Sequence, residues 1–553
     1  MHVKDYGMYV AYPPTVDLRD QGLGRHLAMF LNGAHELSNV RFTIVCPSWT
    51  KESLQELFES ENVSSRVYKL ECPDGKPYIL KLYELLRKYS KYRKRKGWFS
   101  QFSSKMVAQA GFAWRSLTSR AVAVHDVWTL FVFLAFVLPS LLVVLPLAAV
   151  VSPILVFSAL TRWVIILKPF LTVRFQSMRW VRLLQKSASL LEKPESKNWV
   201  LGLFDEMHER EISRMQKIVE RTNVVAWYCP TAFWPSFHSI EAPRLMCVPD
   251  VVLSDFPVGF AGVGGERFAR TFEIIEDSIR LCSHFVTYSE SVKWKTLVEK
   301  YGVEQNKVAV IPHAPSVLHR LVEISGFPDN ELASKYFCQS QLQNAFQRGA
   351  NPTYTSLLQV ANLKFIFYAS QFRPNKNILT LLRAYEHLLR RRYVGHKLIL
   401  TGDPSLIPEI GNFVKDKRLQ NDVIFLPRLT ATELAACYKL ADLAVNPTLS
   451  EGGCPFTFTE ALSVGTPVVM SRIDVAEEVL TESVLQEVTF FDPYSWKNCA
   501  ERIEWALNNK DYLLGIQKRA FDVLVERSWS DVVREHMQVL DDISTRREST
   551  ENG

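Results

Sequence analysis

At 553 residues with 47% hydrophobic and 22% charged side chains, the chain can bury two cores of ordinary domain size, and its composition excludes a disordered or low-complexity protein. Nine scattered cysteines without Cys-x-x-Cys or metal-ligand spacing argue against a disulfide framework and for a reducing setting. The net charge of +7 hides a strong asymmetry: residues 81 to 186 hold 17 Lys or Arg against two acids, leaving the rest of the chain at about −8.

Gly7 to Pro13 reads as a buried strand, and Met1 to Pro14 lacks the form of a signal peptide. Gly22-Leu-Gly24-Arg25-His26 then opens an amphipathic helix through Leu27, Phe30 and Leu31. A glycine pair at a helix start serves either phosphate contact or a tight turn. Next comes a long interruption. Arg87 to Lys96 carries seven cations in ten residues, interleaved with Tyr89 and Tyr92 and followed by Trp98 and Phe99. Val127 to Thr161 follows, 35 residues without Asp, Glu, Lys, Arg or His, more than the roughly 20 that span a bilayer as one helix. Pro139, Pro146 and Pro153 favour broken or re-entrant segments. Cations on both flanks, and strands of one sheet before and after, predict a hairpin entering and leaving on the cytoplasmic side of an anionic membrane. Nucleic-acid binding is the competing reading of a basic aromatic run, but no recognition module accompanies it.

Strand-like segments resume at Asn223 to Tyr228, Arg244 to Asp250 and Ser283 to Ser289, each followed by turn residues. His238 and Asp250 lie on loops here as possible acceptor-side groups. Ser325 to Val360 reads as an irregular polar insert. From residue 364 strand and helix alternate: Lys364 to Ser370 runs into Arg373-Pro-Asn-Lys376, so two cations leave one strand end together. Lys397 to Gly402, Val423 to Pro427 with Arg428 and Leu429 behind it, and Leu443 to Val445 are further strands. This is the pattern of a doubly wound parallel sheet, which binds ligands at the strands' carboxyl ends. Glu451-Gly452-Gly453-Cys-Pro-Phe-Thr-Phe-Thr-Glu460 then sets two carboxylates around a glycine-proline turn, with Glu460 about two turns into the following helix. Carboxylates suit sugar hydroxyls and helix N-termini suit phosphates.

These residues, together with Gly465-Thr-Pro467-Val-Val and Phe491-Asp492-Pro493, make 364–530 resemble the donor-binding domain of glycosyltransferase family 4. Two departures stand out: the family's Glu-x7-Glu spacing is lengthened by one residue, placed in the Gly-Gly-Cys-Pro turn, and Pro249-Asp250 stands where a His-Asp is common. The resemblance implies an α/β fold of GT-B architecture, two Rossmann-like doubly wound domains facing across a cleft, with an inserted helical membrane-associated segment. The expected boundaries are 1–80 and 200–320 for the acceptor-side domain and 81–199 for the insertion. They continue with 321–360 for the irregular insert, 361–530 for the donor domain and 531–553 for a C-terminal helix and frayed tail.

By that resemblance Arg373, Lys376 and Glu451 serve catalysis and the donor sugar, Glu460 the ribose, and Gly452, Gly453, Arg428 and Leu429 the rest of the donor. Gly22, Gly24 and Arg25 face phosphates and acceptor. The implied reaction is retaining transfer from a nucleoside-diphosphate sugar, as co-substrate and without metal or other cofactor, to a lipid-linked saccharide or glycolipid at the cytoplasmic face of a membrane. A catalytically inactive scaffold and a nucleotide-sugar sensor of the same fold are the alternatives.

Overall fold

The computed structural model describes residues 3–14, 16, 22–80, 124, 126–135, 199–264, 266–349 and 351–551. Two parallel sheets organise them. The first is seven-stranded, with β1 (Lys4–Tyr9), β2 (Val40–Val45), β3 (Tyr68–Glu71), β4 (Trp227–Cys229), β5 (Arg244–Cys247), β6 (Phe285–Thr287) and β7 (Val308–Val310) in the order β3-β2-β1-β4-β5-β6-β7. The second is six-stranded, with β8 (Phe365–Tyr368), β9 (Lys397–Leu400), β10 (Val423–Phe425), β11 (Leu443–Asn446), β12 (Val468–Ser471) and β13 (Phe490–Phe491) in the order β10-β9-β8-β11-β12-β13.

The central strands read as short continuous apolar runs because both sheet faces are covered by helices. In β8 the Phe-Ile-Phe-Tyr run is buried at every position, as is Leu-Ala-Val-Asn in β11. Each sheet has its own core. In both, the order reverses beside the first strand of the half, and ligands of doubly wound sheets bind at such crevices beyond the carboxyl ends.

β1 pairs in parallel with β4, Gly7 opposite Trp227. The long interruption therefore starts and ends on one sheet. Its described part fits that return: the Tyr78 amide donates to the Val124 carbonyl at 3.1 Å, and residues 127–135 continue as a helix with Val127, Trp128, Phe131 and Val132 all more than half exposed. The remainder of the expected hairpin, 136–161, and the cationic run 81–123 lie outside the described residues. Among the described residues no helix is long and apolar enough to cross a membrane.

Three local expectations are corrected. The segment read as an irregular insert contains a 19-residue helix, α2 (Asn330–Arg348); α1 is the amino-terminal helix Gly22–Leu37. The Asp329 carboxylate caps α2 by accepting from the Leu332 amide at 2.9 Å. Cys338, Leu342, Ala345 and Phe346 drive it into the second core, and so narrow an apolar stripe on a polar helix carries little periodicity. The tail after Asp541 is helical to Glu551, within α6 (Trp529–Glu551); Val532, Val533, Leu540 and Ile543 return it to the first core, where it lies against α1. The helix bearing Glu460, α5 (Phe456–Ser463), begins late, so Glu460 is its fifth residue, little more than one turn in. Between them run α3 (Ile378–Arg391) and α4 (Ala431–Leu440).

Candidate active site

The loop after β8 is fixed before it is charged. Phe372 is buried beneath Gly402, where any Cβ would overlap the aromatic ring, so the glycine turn after β9 lets Phe372 seat and aims the next residue, Arg373, outward. Asn375 is almost fully buried and ties this loop to the one after β11. Its carbonyl accepts from the Leu449 amide at 2.8 Å and its side-chain amide donates to the Ser450 carbonyl at 3.2 Å. Asn377, left-handed at φ 53°, donates through its side chain to the Pro493 carbonyl at 2.7 Å. Three strand ends are thereby locked together. Lys376 is consequently held against Glu451, with which it forms an ion pair, both side chains mostly shielded from solvent.

The first lobe closes on this pair. A Cβ on Gly452 would overlap the Pro249 carbonyl oxygen, so only glycine permits the contact, and the Ser289 hydroxyl donates to the Gly452 carbonyl at 3.1 Å. Asp250 is thus delivered from the acceptor-side lobe to the donor-side charges. Burial, then the Glu451 carboxylate, push its carboxyl up from 3.8 to about 6, against the lowering pull of Lys376 and Arg373. His313, three residues beyond β7, lies against Phe456, ring centroids 4.4 Å apart, and burial lowers its pKa.

A second cluster sits further along the same turn and helix. Glu460 is nearly buried and accepts from the Arg25 guanidinium at 2.8 Å and from the Ser316 hydroxyl at 3.1 Å. Arg25 also donates to Ser316 at 3.2 Å, and the Ser316 amide donates to the Thr459 hydroxyl at 3.2 Å. Arg25 stands in the first turn of α1, so the two lobes meet through an arginine and a glutamate 435 residues apart.

The structure brings together Arg373, Lys376, Glu451, Gly452 and Asp250, and beside them Gly453, Arg25 and Glu460. The glycines of α1 differ from one another: Gly24 is buried, whereas a Cβ on Gly22 would meet nothing within 4 Å. Arg428, at φ 61°, is exposed on the loop after β10, where its charge adds to the Ser405 hydrogen bonds that lower the Asp403 carboxyl, and Leu429 packs on the second core. His238 is exposed on a short turn after β4, its ring engaged with the Pro235 carbonyl of that same turn. The groups that face Asp250 are Glu451, Lys376, Arg373 and Asp255 rather than this histidine.

Sequence reasoning missed Asn375, Ser316, Thr459 and His313. Asn375 sits between two residues already singled out, and its type alone invites a turn-bonding role. Ser316 carries no local signal. A cavity of about 570 Å³ is lined by Arg472, Phe490, Asp492, Tyr494 and Arg502 rather than by the residues of these clusters.

Asp250 has a consequence for stability. Its folded pKa exceeds the unfolded value, so the protonated form is favoured by folding, and that stabilisation is lost as pH rises from about 4 through about 6. Asp250→Asn is therefore expected to melt higher than the unmodified protein at pH 7.5, with the difference vanishing below pH 4; thermal denaturation at the two pH values checks it.

Comparison with known proteins agrees with this geometry. The family described as glycosyl transferases group 1 matches residues 356–522, so the second lobe is a group 1 glycosyltransferase domain. The O-antigen chain mannosyltransferase RfbU of Salmonella typhimurium is 26% identical over 232 residues, covering 42% of this chain and 54% of that protein. The lipopolysaccharide 1,2-N-acetylglucosaminetransferase of the same organism is 25% identical over 183 residues, 26% of this chain and 48% of that one. The chain thus spans about half the length of the relatives it matches. Among solved structures, Anabaena Alr3699/HepE in complex with UDP and glucose superposes with a TM-score of 0.52 at 12% identity, covering 98% of this chain and 100% of that one. That likeness concerns the fold, and it is consistent with GT-B architecture.

Proposed function

We propose that this chain is a glycosyltransferase that moves a sugar, with retention and without a metal, from a nucleoside diphosphate to a lipid-linked saccharide or glycolipid. The observation that carries the reading is the convergence of Arg373, Lys376, Glu451 and Asp250 from both lobes at the carboxyl ends of a group 1 domain's strands. Breaking the bond from the anomeric carbon to the phosphate oxygen leaves extra negative charge on the diphosphate. Fixed cations that meet this charge stabilise the transition state more than the ground state. Arg373 can grip phosphate through two N–H groups and Lys376 adds a point charge. The acceptor hydroxyl adds to the same carbon on the same face, and its proton passes to the departing phosphate oxygen. Glu451 holds the donor sugar, Glu460 the ribose hydroxyls, and Asp250 orients the acceptor.

Arg25 and Ser316 already donate to Glu460, which supports a polar pocket for hydroxyl groups there. The ribose of the donor would take over one of these bonds as it enters. Arg428 and Leu429 lie on the loop where the base would rest.

The acceptor class and the location at the cytoplasmic side of a membrane rest on the 35 uncharged residues and their cationic flanks. The pairing of β1 with β4 supports an insertion that leaves and returns on one side.

Incubating the full chain with a panel of UDP-, GDP- and ADP-sugars and a lipid extract tests the reading. A transferase releases nucleoside diphosphate with one of them, and Glu460→Ala loses that release while keeping its attachment to lipid. A sensor binds without turnover and an inactive scaffold binds nothing. Either result, or normal turnover in Glu460→Ala, overturns the assignment.

A further inference from the structure

Two backbone amides of the first lobe find their acceptor on the second. β6 ends at Thr287, and the chain turns at Ser289 into the helical segment Val292–Val298. The N–H groups that open a helix have no carbonyl behind them and need acceptors from elsewhere. Two are served within the first lobe: the Val292 amide donates to the Ser289 hydroxyl oxygen at 3.2 Å and the Lys293 amide to the Ser289 carbonyl at 3.2 Å. The Glu290 and Ser291 amides are served by Glu478, whose two carboxylate oxygens accept from them at 2.7 Å and 3.0 Å, one oxygen to each amide. Glu478 belongs to the short helix Asp474–Val479 behind β12.

The same few residues reach the candidate site. The Ser289 hydroxyl donates to the Gly452 carbonyl at 3.1 Å, and Gly452 follows Glu451 in the turn whose charge Asp250 meets. A carboxylate that holds Glu290 and Ser291 therefore holds Ser289 on Gly452, and with it the first lobe on the charges of the second.

Bonds from backbone N–H to a carboxylate are charge-assisted and roughly twice as strong as neutral ones. A second contact between the same two segments, the ion pair of Lys295 with Asp474, has both side chains more than half exposed, and such pairs contribute little. The hold is thus concentrated in Glu478. It is also releasable, because Glu290 is exposed and Ser291 half-buried, so water takes over their amides when the lobes part and no buried group is left without a partner.

We propose that Glu478 is the latch of domain closure, a positioning residue that acts through Ser289 and Gly452 rather than on the substrate. It keeps Asp250 on the donor-side charges during transfer and lets go for donor entry and product release. Its effect on turnover rests on the transferase reading, whereas its effect on the two amides does not.

Hydrogen–deuterium exchange of the full chain, resolved to single amides by electron-transfer fragmentation, tests the inference beside steady-state kinetics. Glu478→Gln keeps the size of the side chain but turns an NH2 group toward one of the two amide N–H groups, so it cannot serve both. The Glu290 and Ser291 amides are expected to exchange about tenfold faster in this variant, the order expected for losing hydrogen bonds to a charged group. The Val292 and Lys293 amides, whose acceptors lie in their own lobe, are expected to change much less. In the same variant kcat should fall about tenfold with KM for the nucleotide sugar within about twofold, as for an interaction needed only in the closed state. Glu478→Asp, which keeps two acceptor oxygens, should recover part of both effects, and Lys295→Ala should resemble the unmodified protein. Unchanged exchange at 290 and 291 in Glu478→Gln overturns the proposal, and so does a loss in Lys295→Ala equal to that in Glu478→Gln. If no preparation turns over, the unmodified protein included, while the exchange pattern holds, the transferase reading fails and the latch stands.

Discussion

Lys376→Ala is expected to lower kcat/KM for sugar transfer by about 10²- to 10³-fold, the range seen when a fixed charge or donor is removed from a developing anion. The argument is geometric. Lys376 is held by Glu451 at the end of a turn whose Asn375 and Asn377 side chains bond to two other strand ends, so its amine costs little reorganisation when the leaving diphosphate gains charge. Removing it has a second effect: Glu451 and Asp250 then face one another without the nearest cation, and two carboxylates so placed resist common ionisation. The Asp250 carboxyl should therefore rise above about 6, and residual activity should move to higher pH in the variant. Steady-state kinetics across pH 5 to 9 check both effects. Lys376→Arg keeps the charge but spreads it over a wider fork, so partial recovery is expected from it and full recovery is not. Turnover equal to the unmodified protein in Lys376→Ala would remove the lysine from the reaction.

Much of this site was legible in the sequence because its parts are local. The Arg-Pro-Asn-Lys turn follows a strand of continuous apolar residues, and the glutamate turn follows another, so each loop announces the carboxyl end from which it leaves. The Gly-Gly-Cys-Pro turn lies wholly ahead of the helix, since α5 begins after Pro455. What the sequence concealed was long-range. Nothing near Arg25 indicates Glu460, and nothing near Pro249 indicates that its carbonyl will rest on Gly452, because such contacts follow from the closing of two sheets rather than from any repeat along the chain. The helix α2 was hidden for a different reason. Its buried residues, Ser334, Cys338, Leu342, Ala345 and Phe346, form a stripe with a serine at its start, among exposed Lys, Gln and Asn side chains, and such a stripe reads as polar loop until the donor core is seen to need it.

The closing contact itself is the most exposed point of the proposal. Gly452→Ala is expected to reduce transfer by about 100-fold, since misplacement of reacting groups by about 1 Å carries a loss of that order. The Cβ must overlap the Pro249 carbonyl oxygen, and that atom is backbone, so it cannot swing aside as a flexible side chain would. Relief comes from parting the lobes, which carries Asp250 away from Glu451 and lengthens the bond from Ser289 to the Gly452 carbonyl. Each lobe keeps its own core, so far-UV circular dichroism should be unchanged, and nucleoside diphosphate binding should fall only a few-fold because its proposed contacts lie mainly on the second lobe. Gly453→Ala is the comparison that isolates the cause. A Cβ there comes to 3.1 Å from the Tyr288 Cβ and 3.2 Å from the His313 ring, so a shift of a few tenths of an ångström relieves it and its loss should be much smaller. Equal losses in the two variants would show that the turn tolerates no side chain for reasons other than its seat against Pro249, and would separate domain closure from catalysis.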